Sequence, residues 1–155
     1  MSTEMKVAEK LVHRKKTLVL AESCSGGLLS HRLTNIPGSS QFFLGGVIVY
    51  SNESKTKLLK IPSTLIREKG AVSSDVAILM AKNVRKLFHA DYGVSITGIA
   101  GPSGGTKSKP VGLIFIAISS LHETFCVQFQ FKTDRESNKR QAVHQALKLL
   151  NEVIC

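Results

Sequence analysis

Apolar positions along this chain follow two periods, and their alternation predicts an α/β order. Residues 3–15 place Val7, Ala8, Leu11 and Val12 on one face, the spacing of an amphipathic helix. Residues 17–21 are almost continuously apolar, which predicts a short strand buried on both faces at the centre of a sheet. A helix over 28–33 opens in Gly26-Gly27, and the turn residues of 35–40 predict a loop. A strand is expected over 46–50. Ser51 or Asn52 then caps a helix that runs to about Lys60. Pro62-Ser63 starts a short helix that ends at Gly70. Ser73 or Ser74 caps a longer helix over 75–88, with Val76, Leu79, Met80, Val84 and Leu87 turned inward. Strands are expected over 91–97, over 111–119 with Pro110 at its opening, and over 122–131. The last helix covers 135–153, with Ala142, Val143, Leu147, Leu150 and Val153 inward.

This order predicts a three-layer α/β/α sandwich. The link at Ser120-Leu121 is too short for anything but an antiparallel hairpin, so the sheet is expected to be mixed and mostly parallel. With 155 residues, 43% of them hydrophobic, the chain suits one domain over 1–155 with a full core. It contains no repeat, linker or low-complexity segment.

Composition narrows the setting. The three cysteines, Cys24, Cys126 and Cys155, are odd in number and lack metal-ligand spacing, so a reducing cytoplasm is the expected compartment. No apolar run approaches the roughly 18 residues of a spanning helix, and the N-terminus lacks the apolar core of a secretory signal. The net charge of +10 raises the question of nucleic acid. The charge is dispersed, however, with no basic arm and no aromatic interleaving. An anionic small ligand accounts for part of it, and a solvated basic surface for the rest.

Two glycine-rich turns carry the candidate chemistry. Ala21-Glu22-Ser23-Cys24-Ser25-Gly26-Gly27 follows one strand, and Thr97-Gly98-Ile99-Ala100-Gly101-Pro102-Ser103-Gly104-Gly105 follows another. Such turns let backbone N–H groups approach an anion. Ligands of α/β sheets sit beyond the carboxyl ends of strands, where Tyr50-Ser51-Asn52 makes a third polar exit. Ser23 is a candidate nucleophile, and first-turn N–H groups at Gly26 and Gly27 could hold an oxyanion. None of the five histidines lies at a strand exit, which argues against a Ser-His-Asp triad. Lys55 is the better base, since burial and a helix N-terminus both disfavour its ammonium form. Tyr50 could relay a proton or orient the lysine. Cys24 competes with Ser23 as nucleophile, and only one of the two is expected to face the crevice.

The runs AESCSGG (21–27), PGSSQFFLGGVIVYSNESK (37–55), GAVS (70–73) and SITGIAGPSGGTKSKPVG (95–112) resemble the CinA C-terminal domain family, also called PncC, the nicotinamide-nucleotide amidohydrolases. The resemblance spans nearly the whole chain and matches the stand-alone form. It implies an anticodon-binding-domain-like fold and hydrolysis of nicotinamide mononucleotide to nicotinic acid mononucleotide and ammonia. It also implies a catalytic Ser23, Tyr50 and Lys55 set, with no metal or organic cofactor. Expected substrate contacts are Ser25, Gly26, Gly27, Asn52, Thr97, Gly98, Gly101, Ser103, Gly104, Gly105 and Thr106. Lys109, Arg135 and Arg140 are further candidates for phosphate or a subunit interface. Ser25 stands where threonine is common, and Thr106-Lys107-Ser108-Lys109 where acidic residues are frequent. The rival readings are a non-catalytic nucleotide- or partner-binding module and a DNA-uptake or damage accessory protein. The apolar run 40–44 either forms an interface, in keeping with an expected homo-oligomer, or covers the core.

Overall fold

In the computed structural model, which describes residues 1–154, Ser2 opens helix α1 (Thr3–His13) by accepting the Met5 N–H on its hydroxyl. Strand β1 (Leu18–Glu22) follows, all five residues buried, the acidic one included. Next come α2 (Leu28–Thr34), β2 (Phe43–Ile48), α3 (Asn52–Leu59), α4 (Ser63–Lys69) and α5 (Ser74–Phe88). Strands β3 (Tyr92–Gly98), β4 (Leu113–Ser119) and β5 (Thr124–Gln130) lead into α6 (Arg135–Val153). The sheet order is β2-β1-β3-β4-β5. β1 pairs parallel with β2 and β3, and β4 runs antiparallel to both β3 and β5. The tight link at Ser120-Leu121 makes that last hairpin, as its length demands. Helices cover both faces of this mixed sheet, so the three-layer expectation holds.

The period of two along β1 divides the core. Leu18 and Leu20 pack with Leu29, Leu33, Val143 and Leu147 on one face. Val19 and Ala21 pack with Leu59, Ile61, Met80 and Val84 on the other. β1 therefore meets helices on both sides, and its carboxyl end opens between them. Among the described residues no helix is long and apolar enough to cross a membrane.

Several expectations need correction. The edge strand β2 occupies Phe43–Ile48 rather than 46–50, with a register shift opposite Leu18/Val19. Gly45 makes the earlier start feasible, because a Cβ there would press the Phe88 ring at 3.2 Å. Val49 stays tied to the sheet only through its N–H, which donates to the Glu22 carbonyl at 2.9 Å. Phe42 is buried in the core, while Leu44 and Ile48 remain exposed on the outer strand. Pro110 does not open β4. Its carbonyl accepts the Leu113 N–H in a turn through Gly112, and the strand starts only at Leu113. Leu87 and Val12 are exposed. The buried stripe of α5 runs Val76, Ala77, Met80, Ala81 and Val84 and continues to Phe88, which leaves Leu87 outside.

Candidate active site

The first polar exit is organised by Glu22, which ends β1 and is 1% exposed. One carboxylate oxygen accepts the Ser25 hydroxyl at 2.7 Å and the Leu29 N–H at 3.0 Å. The other accepts the Ser30 N–H at 3.0 Å and the Ser30 hydroxyl at 2.6 Å. The first N–H groups of a helix need acceptors, and Gly27 at the N-cap of α2 has no side chain to supply one. Glu22 supplies it from the strand. Gly26 and Gly27 thus precede the helix instead of forming its first turn. The Gly26 N–H donates to the Ser23 carbonyl and the Leu28 N–H to that of Ser25. Among the described residues, the Ser25 and Gly27 N–H groups have no protein acceptor.

Ser23 continues the strand by donating its N–H to Ile96 at 2.9 Å. Its hydroxyl meets Lys55. The helix that carries this lysine is capped by Ser51, whose hydroxyl accepts the Ser54 N–H at 3.0 Å, so Lys55 falls at the start of α3. Lys55 is 1% exposed, with Nζ 3.0 Å from Ser23 Oγ, 2.8 Å from the Val49 carbonyl and 3.2 Å from the Tyr50 carbonyl. Burial holds its ammonium below the usual lysine range. A neutral amine has two N–H bonds and one lone pair. Two carbonyls take the N–H bonds, and the lone pair is left for the Ser23 hydroxyl proton.

Both Ser23 and Cys24 line the cavity, contrary to the expectation that only one would. Burial pushes the Cys24 thiol up to about 12. Cys24 lies three residues before the Gly27 cap, outside the first turn of α2, so nothing makes it a thiolate at neutral pH. Of the pair, the serine is the candidate nucleophile.

The remaining walls come from β3, the α4–α5 link and α6. The cavity, about 150 Å³, is lined by Tyr50, Asn52, Thr97, Gly98, Ala100 and Arg135 around the Ser23–Lys55 pair, with Ala71 and Val72 beside them. Thr97 donates its hydroxyl to the Ala71 carbonyl at 3.0 Å, joining two walls. Arg135 donates to the Gly101 carbonyl and, at 3.2 Å, to the Tyr50 hydroxyl. The Tyr50 phenol therefore stands at the mouth beside a guanidinium, and only its carbonyl touches Lys55. A larger groove, about 340 Å³, runs between α3 and α4 past Thr56, Ile66 and Arg67 and shares Asn52. It holds no nucleophile–base pair.

Of the residues expected to contact substrate, Asn52, Thr97 and Gly98 line the cavity, and Gly101 reaches its rim through Arg135. Ser25 is buried with its hydroxyl bound to Glu22. Ser103, Gly104, Gly105 and Thr106 are exposed outside the lining. Thr106 closes its own turn, donating its N–H to the Lys109 carbonyl and accepting the Lys109 N–H on its hydroxyl. Lys109 reaches the Lys69 carbonyl and Arg140 pairs with Glu136, so Arg135 is the one of the three candidate cations at the site. Sequence reasoning missed Ala71, Val72 and Ala100. The GAVS run marked the first two without assigning them a role.

The model of the CinA C-terminal domain matches residues 1–154. The chain belongs to the CinA C-terminal domain family. It is 51% identical over 135 residues to a CinA-like protein of Koribacter versatilis, covering 87% of this chain and 33% of that protein. It is 46% identical over 148 residues to another from Desulfotalea psychrophila, covering 96% and 36%. The chain thus spans about a third of the length of these curated relatives. A crystal structure of a competence-damaged protein (CinA) superfamily member from Klebsiella pneumoniae superposes with a TM-score of 0.94 at 30% identity, over 99% of this chain and 98% of that one. The competence/damage inducible protein CihA of Agrobacterium tumefaciens gives 0.90 at 30% identity, over 97% and 94%.

One expected result follows from the buried amine of this CinA family chain. If Lys55 is the base for Ser23, only its neutral form can take the serine proton, so kcat/KM should rise with pH along a limb centred below the ordinary lysine pKa of about 10.4. A pH–rate profile whose limb is centred in the ordinary lysine range would show that burial does not tune the base.

Proposed function

We propose that this domain is a serine–lysine amidase that hydrolyses the carboxamide of nicotinamide mononucleotide to nicotinic acid mononucleotide and ammonia. The observation that carries it is the buried 3.0 Å contact between Lys55 Nζ and Ser23 Oγ, with two backbone carbonyls orienting the amine. Family membership supports the same reading.

Lys55 takes the Ser23 hydroxyl proton as Oγ bonds to the carboxamide carbon. The Ser25 and Gly27 N–H groups, which have no protein acceptor among the described residues, are the donors available to the developing oxyanion. Collapse of the tetrahedral species breaks the C–N bond, and Lys55 returns the proton to the departing ammonia. A water then attacks the acyl-serine ester and gives a proton to Lys55. Ser23 leaves with that proton, and the product acid gives its remaining proton to the released ammonia or to solvent, leaving the carboxylate. The Tyr50 phenol orients substrate at the mouth. The small cavity suits the pyridine carboxamide, and the ribose phosphate extends towards Arg135, the guanidinium at the rim.

Ammonia release from nicotinamide mononucleotide by the purified protein tests this. Turnover is expected in wild type, and in Cys24→Ala to within about 3-fold, because a protonated thiol takes no step. Absence of turnover by folded wild type would sink the substrate reading. Loss of turnover in a folded Cys24→Ala protein would move the nucleophile to the thiol.

A further inference from the structure

Glu22 is a buried charged group for which the reaction above has no step. All four of its donors come from the segment just beyond the nucleophile: Ser25, Leu29 and Ser30, the last through both N–H and hydroxyl. With its two oxygens fully engaged, the carboxylate is not placed as a second base. The Ser25 bond falls on the turn before the helix and is no part of a cap, whereas the Leu29 and Ser30 bonds cap α2 in place of a side chain at position 27. The φ of +98° at Gly27 favours glycine, and a Cβ there would meet Ile48 Cδ1 at 3.1 Å.

The backbone of Glu22 belongs to the same framework as the base. Its carbonyl accepts the Val49 N–H at 2.9 Å, and the Val49 carbonyl accepts Lys55 Nζ at 2.8 Å. Lys55 Nζ then reaches Ser23, the residue after Glu22. The ring closes through Glu22, Val49, Lys55 and Ser23. The side chain of Glu22 adds the other constraint, fastening Ser25, two residues past the nucleophile, back to the strand end. The turn is thereby held on both sides of Ser23.

We propose that Glu22 is a positioning residue that locks the Ser23 turn to the sheet and so fixes the Oγ–Nζ contact with Lys55. The inference rests on Ser23 being the nucleophile, as the proposed amidase requires, but not on the identity of the amide substrate. Glu22→Gln keeps the shape and places an NH₂ group against a donor. Ser25→Ala removes the bond on the nucleophile turn, and Ser30→Ala removes one on the helix.

The first readout is the rate of Ser23 sulfonylation by a small aryl sulfonyl fluoride, followed by mass spectrometry, which needs no natural substrate. In that step Ser23 Oγ bonds to sulfur, fluoride leaves, and Lys55 takes the proton. The second is the split between kcat and KM for ammonia release. Glu22→Gln and Ser25→Ala are expected to slow labelling and lower kcat by at least ~10-fold, with KM within about 2-fold. Ser30→Ala is expected to label like wild type, even where its melting temperature falls as far as that of Ser25→Ala. If Glu22→Gln does not fold, the two serine variants carry the comparison.

Equal labelling losses in Ser25→Ala and Ser30→Ala that track stability would overturn the positioning role and leave a helix cap. Wild-type labelling rates in Glu22→Gln or Ser25→Ala would overturn it too, as would a wild type whose Ser23 is not labelled. A labelled wild type that releases no ammonia, with the Ser25/Ser30 difference intact, keeps this proposal and removes the mononucleotide as substrate.

Discussion

Ser23→Ala and Lys55→Met will each lower kcat for ammonia release by at least ~10³-fold, and the double variant will be little worse than either. The two groups act as one unit. In the proposed mechanism the serine oxygen forms the bond, and Lys55, at 3.0 Å, is the amine hydrogen-bonded to it. Removing the base leaves a neutral hydroxyl, and removing the oxygen leaves a base with nothing to activate, so the losses overlap. Lys55→Arg should not rescue, because a guanidinium stays protonated and cannot accept the proton. Lys55→Met also deprives the Val49 and Tyr50 carbonyls of their donor, so thermal unfolding must show that the variant is folded. More than a tenth of wild-type kcat in either folded variant would exclude the serine–lysine mechanism.

Gly93→Ala is expected to destabilise the domain by about 3 kcal/mol and to lower its melting temperature by roughly 6–12 °C. Gly93 lies in β3 directly under α5. A Cβ there would stand 2.4 Å from the Ala81 carbonyl oxygen and 2.8 Å from Arg85 Cβ. Neither is the far end of a flexible side chain, so the helix must lift. That movement also strains the Ser95 hydroxyl's 2.6 Å bond to the Ala77 carbonyl. α5 begins just after Ala71 and Val72, which line the cavity, so the same variant should bind substrate more weakly. A shift of less than about 2 °C in thermal denaturation would show that the helix–sheet gap is looser than the structure places it.

The elements legible in the sequence are those whose local signals agree. α6 occupies the expected 135–153, since Asp134 supplies a cap and the apolar stripe is continuous. α4 stops at Gly70 and α5 starts after Ser73 for similar local reasons. β2 starts before the expected 46–50; the sequence points later because Gly45 looks like a break while the apolar run continues through Tyr50. What makes Gly45 and Gly46 a strand is the Phe88 ring and the neighbouring β1, both distant in sequence. The site divides in the same way. Ser23, Tyr50 and Lys55 stand at strand exits or helix starts that the local pattern marks. Ala71, Val72 and Ala100 carry no chemical signature, and neither the hydroxyl of Ser25 nor that of Thr106 reveals in sequence that its neighbours engage it.

By itself, the sequence determined the alternation of helices and strands, the caps, the hairpin at Ser120-Leu121 and the residue types able to do acyl chemistry. These depend on backbone propensity and on contacts within a few residues. The tertiary structure alone decided that β1 lies between β2 and β3, which brings three strand exits to one crevice. It also decided that Lys55 is buried against Ser23 and that Glu22 caps a helix from a strand. Each of these requires segments separated along the chain to exclude water together. Burial, which tunes the amine and makes the buried carboxylate require its four donors, arises only once the layers have closed.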